Sequence, residues 1–300
     1  MRRVSTRKQI PLAFALCLAA GCTSSSPAPA PPDSGTATPG TTPSGAPAAT
    51  ATAPSTGTAV PGGTAGPAAG ATAGSAAAET IAPDTLRTGM GDLKITPVHH
   101  GTVMLEHGGQ VIVVDPWSKG PIDRLPKADL LLITDIHQDH FDKDAIAKVK
   151  KDATVIVAPE AVAKDLPGAK VLKNGQKMTV GTLGIEAIPM YNKVRGPEPG
   201  KVFHEKGRGN GYVLSLGDKR VYLSGDTECT DEMKALQNID VAFVSMNLPY
   251  TMPPSEAAEC IKAFKPKIVY PYHYRDSNLA DLTKALEGEK AIEVRLRKWY

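Results

Sequence analysis

Asp129–Thr134 is a nearly continuous apolar run, and Asp135-Ile136-His137-Gln138-Asp139-His140 follows it directly. An apolar run of this length reads as a strand buried on both faces, which demands packed layers above and below it. Loops at the ends of such strands are where chemistry is carried. This one places two imidazoles and two carboxylates, all metal-ligand types, within six residues. A polar turn before a helix capped by Asp142 would explain one Asp, but not two His and two Asp together.

Only part of the chain can fold around that strand. From Thr23 to Ala78 nearly every residue is Ala, Pro, Gly, Ser or Thr, interrupted by Asp33 and Val60. Such a stretch lacks the apolar side chains needed to offset the entropy of ordering, so residues 23–83 read as a flexible linker. Residues 84–300 have ordinary globular composition and suit one domain. The net charge of +3 divides into +2 for residues 1–83 and +1 for the rest. A near-neutral domain has no electrostatic footprint for nucleic acid, so none is expected as a partner.

Residues 1–22 read as an export signal. Arg2, Arg3, Arg7 and Lys8 precede an apolar run, Ile10–Ala20, too short to span a bilayer. It ends in Leu18-Ala19-Ala20-Gly21-Cys22, which resembles a bacterial lipoprotein cleavage box with Cys22 as the lipidated residue. The expectation is an exported domain, lipid-anchored to the cell envelope and touching the membrane through that anchor only. Cleavage further on would give a secreted protein instead. Of the other cysteines, Cys260 falls on an amphipathic helical stretch and reads as a buried thiol. An oxidising compartment would also permit a Cys229–Cys260 disulfide.

Within the globular part, Leu93–Val98, Thr102–Glu106 and Gln110–Asp115 read as strands, and Asp142–Lys151 as a helix. Thr154–Ala158 is extended and Pro159–Lys164 a short helix. Gly184–Pro189, Gly211–Leu216, Arg220–Ser224, Val241–Ser245, Ile268–Pro271 and Ala291–Arg295 read as further strands. Helices are expected at Thr230–Gln237, Ser255–Phe264 and Leu279–Glu287, and a long polar loop at Tyr191–Asn210. Hairpins open each half and strand–helix units follow, which implies two mixed sheets face to face with helices outside.

Two further motifs sit at strand ends. Gly225-Asp226-Thr227 alone is commonly just a turn, and the His of Tyr270-Pro271-Tyr272-His273-Tyr274 alone is commonly a buried structural histidine. With the first cluster they become ligand candidates, because one carboxylate such as Asp226 can bridge two cations.

This ordered set resembles the metallo-β-lactamase superfamily, whose HxHxDH pattern the first cluster approaches. Ile95-Thr96-Pro97-Val98-His99-His100 and Val114-Asp115-Pro116-Trp117 resemble one branch of it, which holds the ascorbate-6-phosphate lactonase-like proteins and, more distantly, the N-acyl-phosphatidylethanolamine phospholipases. The resemblance spans Leu93–Tyr274. It implies a four-layer αββα sandwich and two divalent metal ions, Zn²⁺ or Mn²⁺ with Fe²⁺ possible. One site would hold Asp135, His137, Asp226 and a further ligand, and the other Asp139, His140, Asp226 and His273.

Two departures from the pattern matter. Asp135 replaces the first His, and the family's intermediate His is not obvious, with Asn192 standing at its position. Either Asn192 serves weakly or His204 reaches back from the long loop; imidazole is the better ligand for a divalent metal. The implied mechanism is attack by a metal-activated hydroxide on an ester, lactone or phosphodiester of a small molecule, with Asp139 and His140 as catalytic residues. His100 and Asp115 are candidates beside the cleft, Asp115 orienting a ligand imidazole. Arg208, with Lys201 and Lys206, would hold an anionic substrate or simply form a solvated face, and Tyr250 would line the pocket. The alternative reading is a catalytically degenerate, surface-anchored metal-binding scaffold. A true β-lactamase is disfavoured by Asp226 and by His140 beside Asp139.

Overall fold

The computed structural model describes residues 82–300. The expected signal peptide, the Cys22 lipidation site and residues 23–81 of the expected linker lie outside them. The described residues form two seven-stranded sheets that repeat one plan. In the first sheet, β1 (Asp84–Thr88), β2 (Gly91–His99), β3 (Thr102–His107) and β4 (Gln110–Val114) make an antiparallel meander. Then β5 (Ala128–Leu132), β6 (Lys150–Ala158) and β7 (Lys170–Val171) add in parallel, with α1 (Lys143–Val149) and α2 (Glu160–Ala163) as crossovers.

The second sheet copies this order. β8 (Lys177–Val180), β9 (Leu183–Met190), β10 (Gly209–Leu216) and β11 (Lys219–Leu223) meander. β12 (Val241–Ser245), β13 (Ile268–Tyr272) and β14 (Glu293–Val294) follow in parallel, with α3 (Asp231–Lys234), α4 (Pro254–Phe264) and α5 (Leu279–Leu286) between or after them.

Burial of both faces of each sheet dictates the layering. Leu93, Leu105 and Leu130 of the first sheet meet Ile185, Tyr212 and Phe243 of the second in one core. On the outer face of the first sheet, Ala145, Ile146 and Val149 of α1 cover Leu131 and Ile133. On that of the second, Met233, Ala257, Ile261 and Leu282 cover Tyr222, Ala242 and Val244. This is the expected αββα arrangement. Helix α4 forms because Ala257, Ala258, Ile261 and Phe264 recur on one face and Pro254 sits in its first turn.

The structure departs from the sequence reading in four places. The helix expected over Asp142–Lys151 stops at Val149; Lys150 is extended, and the β-branched run Thr154–Val157 carries the chain into β6 beside β5. The helix expected at Thr230–Gln237 shrinks to Asp231–Lys234. Strands β1, β7 and β8 were not expected, because few apolar residues mark them; β1 is specified by continuous pairing with β2. Finally, the reading of Cys260 as a free buried thiol is corrected. Cys229, just before α3, is disulfide-bonded to Cys260 on α4, with Cα atoms 5.5 Å apart. The packing of α3 on α4 brings together two cysteines 31 residues apart.

Strand polarity gathers the chemistry. β2, β4, β5, β9, β11, β12 and β13 all end toward the same edge of their sheets. Their C-terminal ends deliver His100, Asp115, Asp135–His140, Asn192, Asp226, Asn247 and His273.

Candidate metal centre

Several of these residues leave their strands by a left-handed kink. His100, Asp115 and His273 have φ of 54°, 44° and 48°. Such angles are costly for residues with a Cβ and persist where surrounding structure enforces them, commonly at functional sites. Before Asp226 the kink falls on Gly225, at φ 61°, where a Cβ would come within 2.3 Å of Met190 Sδ. Glycine takes this conformation without strain or clash, and its neighbour Asp226 faces the centre.

The side chains converge on one point. Asp226 Oδ2 lies 3.4 Å from His140 Nε2 and 3.5 Å from His204 Nε2, and its Oδ1 lies 3.4 Å from His273 Nε2. Asp139 Oδ2 is 3.3 Å from His273 Nε2. Beyond His204, Asp135 Oδ2 stands 3.9 Å away and accepts from His137 Nδ1 at 2.9 Å. Two ligand groupings result: His140–Asp226–His273, and Asp135–His137–His204, with Asp226 between them.

The donor atoms are suited to cations. His140 Nε2, His204 Nε2, His273 Nε2 and Asp226 Oδ1 are buried and have no hydrogen-bond partner in the protein. Leaving four such atoms unsatisfied at one point is costly, and a divalent cation satisfies them together. Charge points the same way. Burial alone would push the His140 imidazole down, but Asp226, Asp115 and Asp139 hold it well above its ordinary value. That pocket stabilises positive charge, whether proton or metal. Burial pushes His204 down to about 4, against the pull of Asp226 and Asp135, so it stands neutral with a lone pair available.

Supporting contacts fix ligand orientation. Asp115 accepts from Thr134 N at 2.8 Å, from the Thr134 hydroxyl, and from His140 Nδ1 at 2.8 Å, which leaves His140 Nε2 bare toward the centre. Asn192 Oδ1 accepts from both the backbone and ring N–H of His204. Its amide donates to Glu228 and to the Tyr250 carbonyl. Asn192 therefore holds His204 in place, and His204 is the residue that faces the centre.

His100 is oriented from behind. The Arg275 backbone N–H donates to Tyr300 Oη at 2.9 Å, and that oxygen lies 2.7 Å from His100 Nδ1. His100 then carries its proton on Nε2 and donates it to Asp139 Oδ2 at 3.0 Å, since an ionised carboxylate only accepts. Burial pushes His100 down to about 4 against the pull of Asp139, consistent with a neutral ring. A protonated Nε2 cannot ligate, so within the grouping His100–Asp139–His273 the role of His100 is to orient Asp139, which stays a ligand candidate beside His273.

One expectation is overturned. Arg208 does not offer its charge to a substrate: Nε and Nη2 donate to Asp135 Oδ1 and Oδ2 at 3.1 and 3.0 Å. Lys201 and Lys206 are likewise taken, by Glu198 and Glu232. A buried carboxylate facing the loop demands a partner, and Arg208 is within reach.

The sequence reading missed several residues. Glu228 is buried and accepts from the N–H groups of Lys193, Val194 and Arg195, shaping the loop that carries His204. Its only sequence signal was its place directly after Gly-Asp-Thr. Trp117, Phe203, Asn247 and Arg275 line a cleft of about 330 Å³ over the centre, with the expected Tyr250. Phe203 and Tyr250 stand edge to face there, ring centroids 5.0 Å apart.

Comparison with known proteins agrees with this geometry. The β-lactamase superfamily domain matches residues 94–273. A crystal structure described as a metal-dependent hydrolase from Parabacteroides distasonis is 43% identical, with a TM-score of 0.70, covering 74% of this chain and all of that one. A UPF0173 metal-dependent hydrolase from Enterococcus faecalis is 29% identical over 65% of this chain and 93% of its own length. Igni18, a metallo hydrolase from Ignicoccus hospitalis, shares the fold at 23% identity, with a TM-score of 0.58, over 69% of this chain and 95% of that one. The chain thus belongs to the metallo-β-lactamase superfamily, as one of its metal-dependent hydrolases.

Proposed function

We propose that this protein hydrolyses an ester, lactone or phosphodiester bond of a small molecule, using divalent cations held by His140, Asp226, His273 and His204, with Asp135 and His137 completing a second position. The convergence of four buried, unpartnered donor atoms supports this reading most directly. Divalent cations in such a site supply polarisation of a substrate oxygen and a water of lowered pKa, with Zn²⁺, Mn²⁺ and Fe²⁺ all compatible with mixed imidazole and carboxylate donors. Asp139, fixed through one oxygen by His100, keeps Oδ1 free to accept a proton beside the reacting centre. The cleft, walled by Trp117, Phe203 and Tyr250, would place apolar surface beside the scissile bond.

The two positions are unequal. Both oxygens of Asp135 are engaged by Arg208, and His137 is about half-exposed. We expect one cation to bind tightly at His140–Asp226–His273 and a second more weakly beside Asp135. In the full chain, metal analysis and titration should show one tight equivalent and one weak one. Asp226→Ala should lose the tight equivalent and at least a thousandfold in hydrolysis of bis-4-nitrophenyl phosphate or a lactone panel. Hydrolysis by that variant at the wild-type rate would sink the proposal. Failure of the wild type to take up Mn²⁺ or Zn²⁺ would instead favour a metal-free scaffold. Export and lipid anchoring at Cys22 complete the proposed setting; mass spectrometry of the mature N-terminus decides it.

A further inference from the structure

The cleft over the candidate metal centre shares part of its wall with another cavity. Trp117 and Arg275 line it, and the same two residues line a second cavity of about 710 Å³. The second cavity has an aromatic wall: His99 stacks on Trp117 at 5.6 Å and 25°, and Tyr300 stands edge-on to His99 at 5.6 Å and 73°. Lys119 and Arg275 also line it, with Asp276 as its one carboxylate.

These two cations differ from their neighbours across the cleft. Every basic residue of the loop after β9 is paired: Lys193 with Asp231, Arg195 with Glu228 and Glu256, Lys201 with Glu198, Lys206 with Glu232, Arg208 with Asp135. Lys119 and Arg275 are exposed and, among the described residues, take no part in ion pairs like those that engage the loop. Arg275 is moreover held in an unfavourable backbone conformation, φ 43°, with its N–H bound by Tyr300. An unpaired guanidinium beside aromatic faces is suited to a carboxylate or phosphate on a planar or aliphatic arm.

We infer that the second cavity is a binding annex for an anionic group of the substrate, held by Arg275 with Lys119 while the connecting arm lies against Trp117. The substrate class is then an ester, lactone or phosphodiester bearing a separate carboxylate or phosphate. This deepens the hydrolase reading and rests on it for the identity of the ligand as substrate.

The test has two arms. Trp117 borders both cavities, whereas the only other tryptophan, Trp299, is buried in the core, so intrinsic fluorescence reports on ligand at this wall, and Lys119, which lines the second cavity alone, tells the annex from the cleft. The full chain, stripped of metal with EDTA, is titrated with 4-nitrobenzoate and with neutral 4-nitrobenzamide. Saturable quenching by the benzoate at least tenfold tighter than by the amide is expected, weakening with salt. Arg275→Ala should abolish the difference, Arg275→Lys should restore part of it, and Lys119→Ala should weaken it. Equal quenching by both compounds, or an undiminished difference in Arg275→Ala, overturns the annex. This arm needs neither metal nor turnover, so its failure is distinct from failure of the hydrolase reading. In the second arm, the metal-loaded protein should favour 4-nitrophenyl hemiglutarate over 4-nitrophenyl butyrate at least tenfold in kcat/KM, and Arg275→Ala should collapse that ratio. Turnover of both esters with no such preference overturns the proposal.

Discussion

At the scale of single residues, the candidate ligands depend on partners that the motifs do not contain. His140 presents a bare Nε2 to the centre because Asp115 takes the proton of Nδ1. Asp115→Asn keeps the shape but puts an N–H donor or a weaker acceptor opposite that nitrogen. Tight-site metal affinity should fall about 10–100-fold, read by chelator competition, with little change in thermal unfolding of the metal-free protein. Unchanged affinity would show that His140 is oriented by packing alone. The sequence showed which residue types could ligate, and it named both His204 and Asn192 for the vacant family position. It could not choose between them, because the choice depends on Asn192 being drawn away by Glu228 and by the carbonyl of Tyr250. It also offered Arg208 to a substrate, whereas a buried Asp135 claims it. Ion pairing between residues 73 positions apart leaves no local trace.

At the scale of elements, strand ends are the working parts. The turn after β11 depends on Gly225, where a positive φ and the closeness of Met190 make any side chain costly. Gly225→Ala should destabilise the fold by about 1–3 kcal/mol, from strain and overpacking together. It should also lower metal uptake by displacing Asp226. A variant with wild-type denaturation midpoint and metal content would refute the role given to this kink. Long, strongly patterned elements such as β2, β5, β12 and α4 were legible because their apolar periodicity matches their burial. The short strands β7 and β8 were not, since their residues are exposed or only half-buried and pairing with β6 and β9 specifies them. The disulfide is a further case: two cysteines alone make no pattern, and only the docking of α3 on α4 joins them.

At the scale of the whole molecule, the first strand and the last residues lock the two sheets at one corner. Asp84 on β1 accepts from Arg297 at 2.9 and 2.7 Å and from Tyr270 Oη at 2.7 Å on β13 of the other sheet. Burial acts to raise the Asp84 carboxyl, but Arg297, Tyr270 and Arg295 hold it below its ordinary value of 3.8. A carboxyl lowered in the folded state stabilises the fold above its unfolded pKa, and loses that effect as pH falls through the folded value. The wild type should therefore lose more stability than Asp84→Asn between pH 5 and pH 3. The pair is partly solvent-screened, so the difference should be about 1 kcal/mol, measured by urea denaturation at each pH. Parallel curves for the two proteins would rule the lock out. By itself the sequence determined the layered architecture and marked the candidate metal-ligating residues, because apolar periodicity and residue type are local properties. Which histidine faces the centre, which cations stay free, which cysteines join and how the annex opens beside Trp117 were decided only by the tertiary structure. Each of those depends on residues far apart in the chain competing for the same partner.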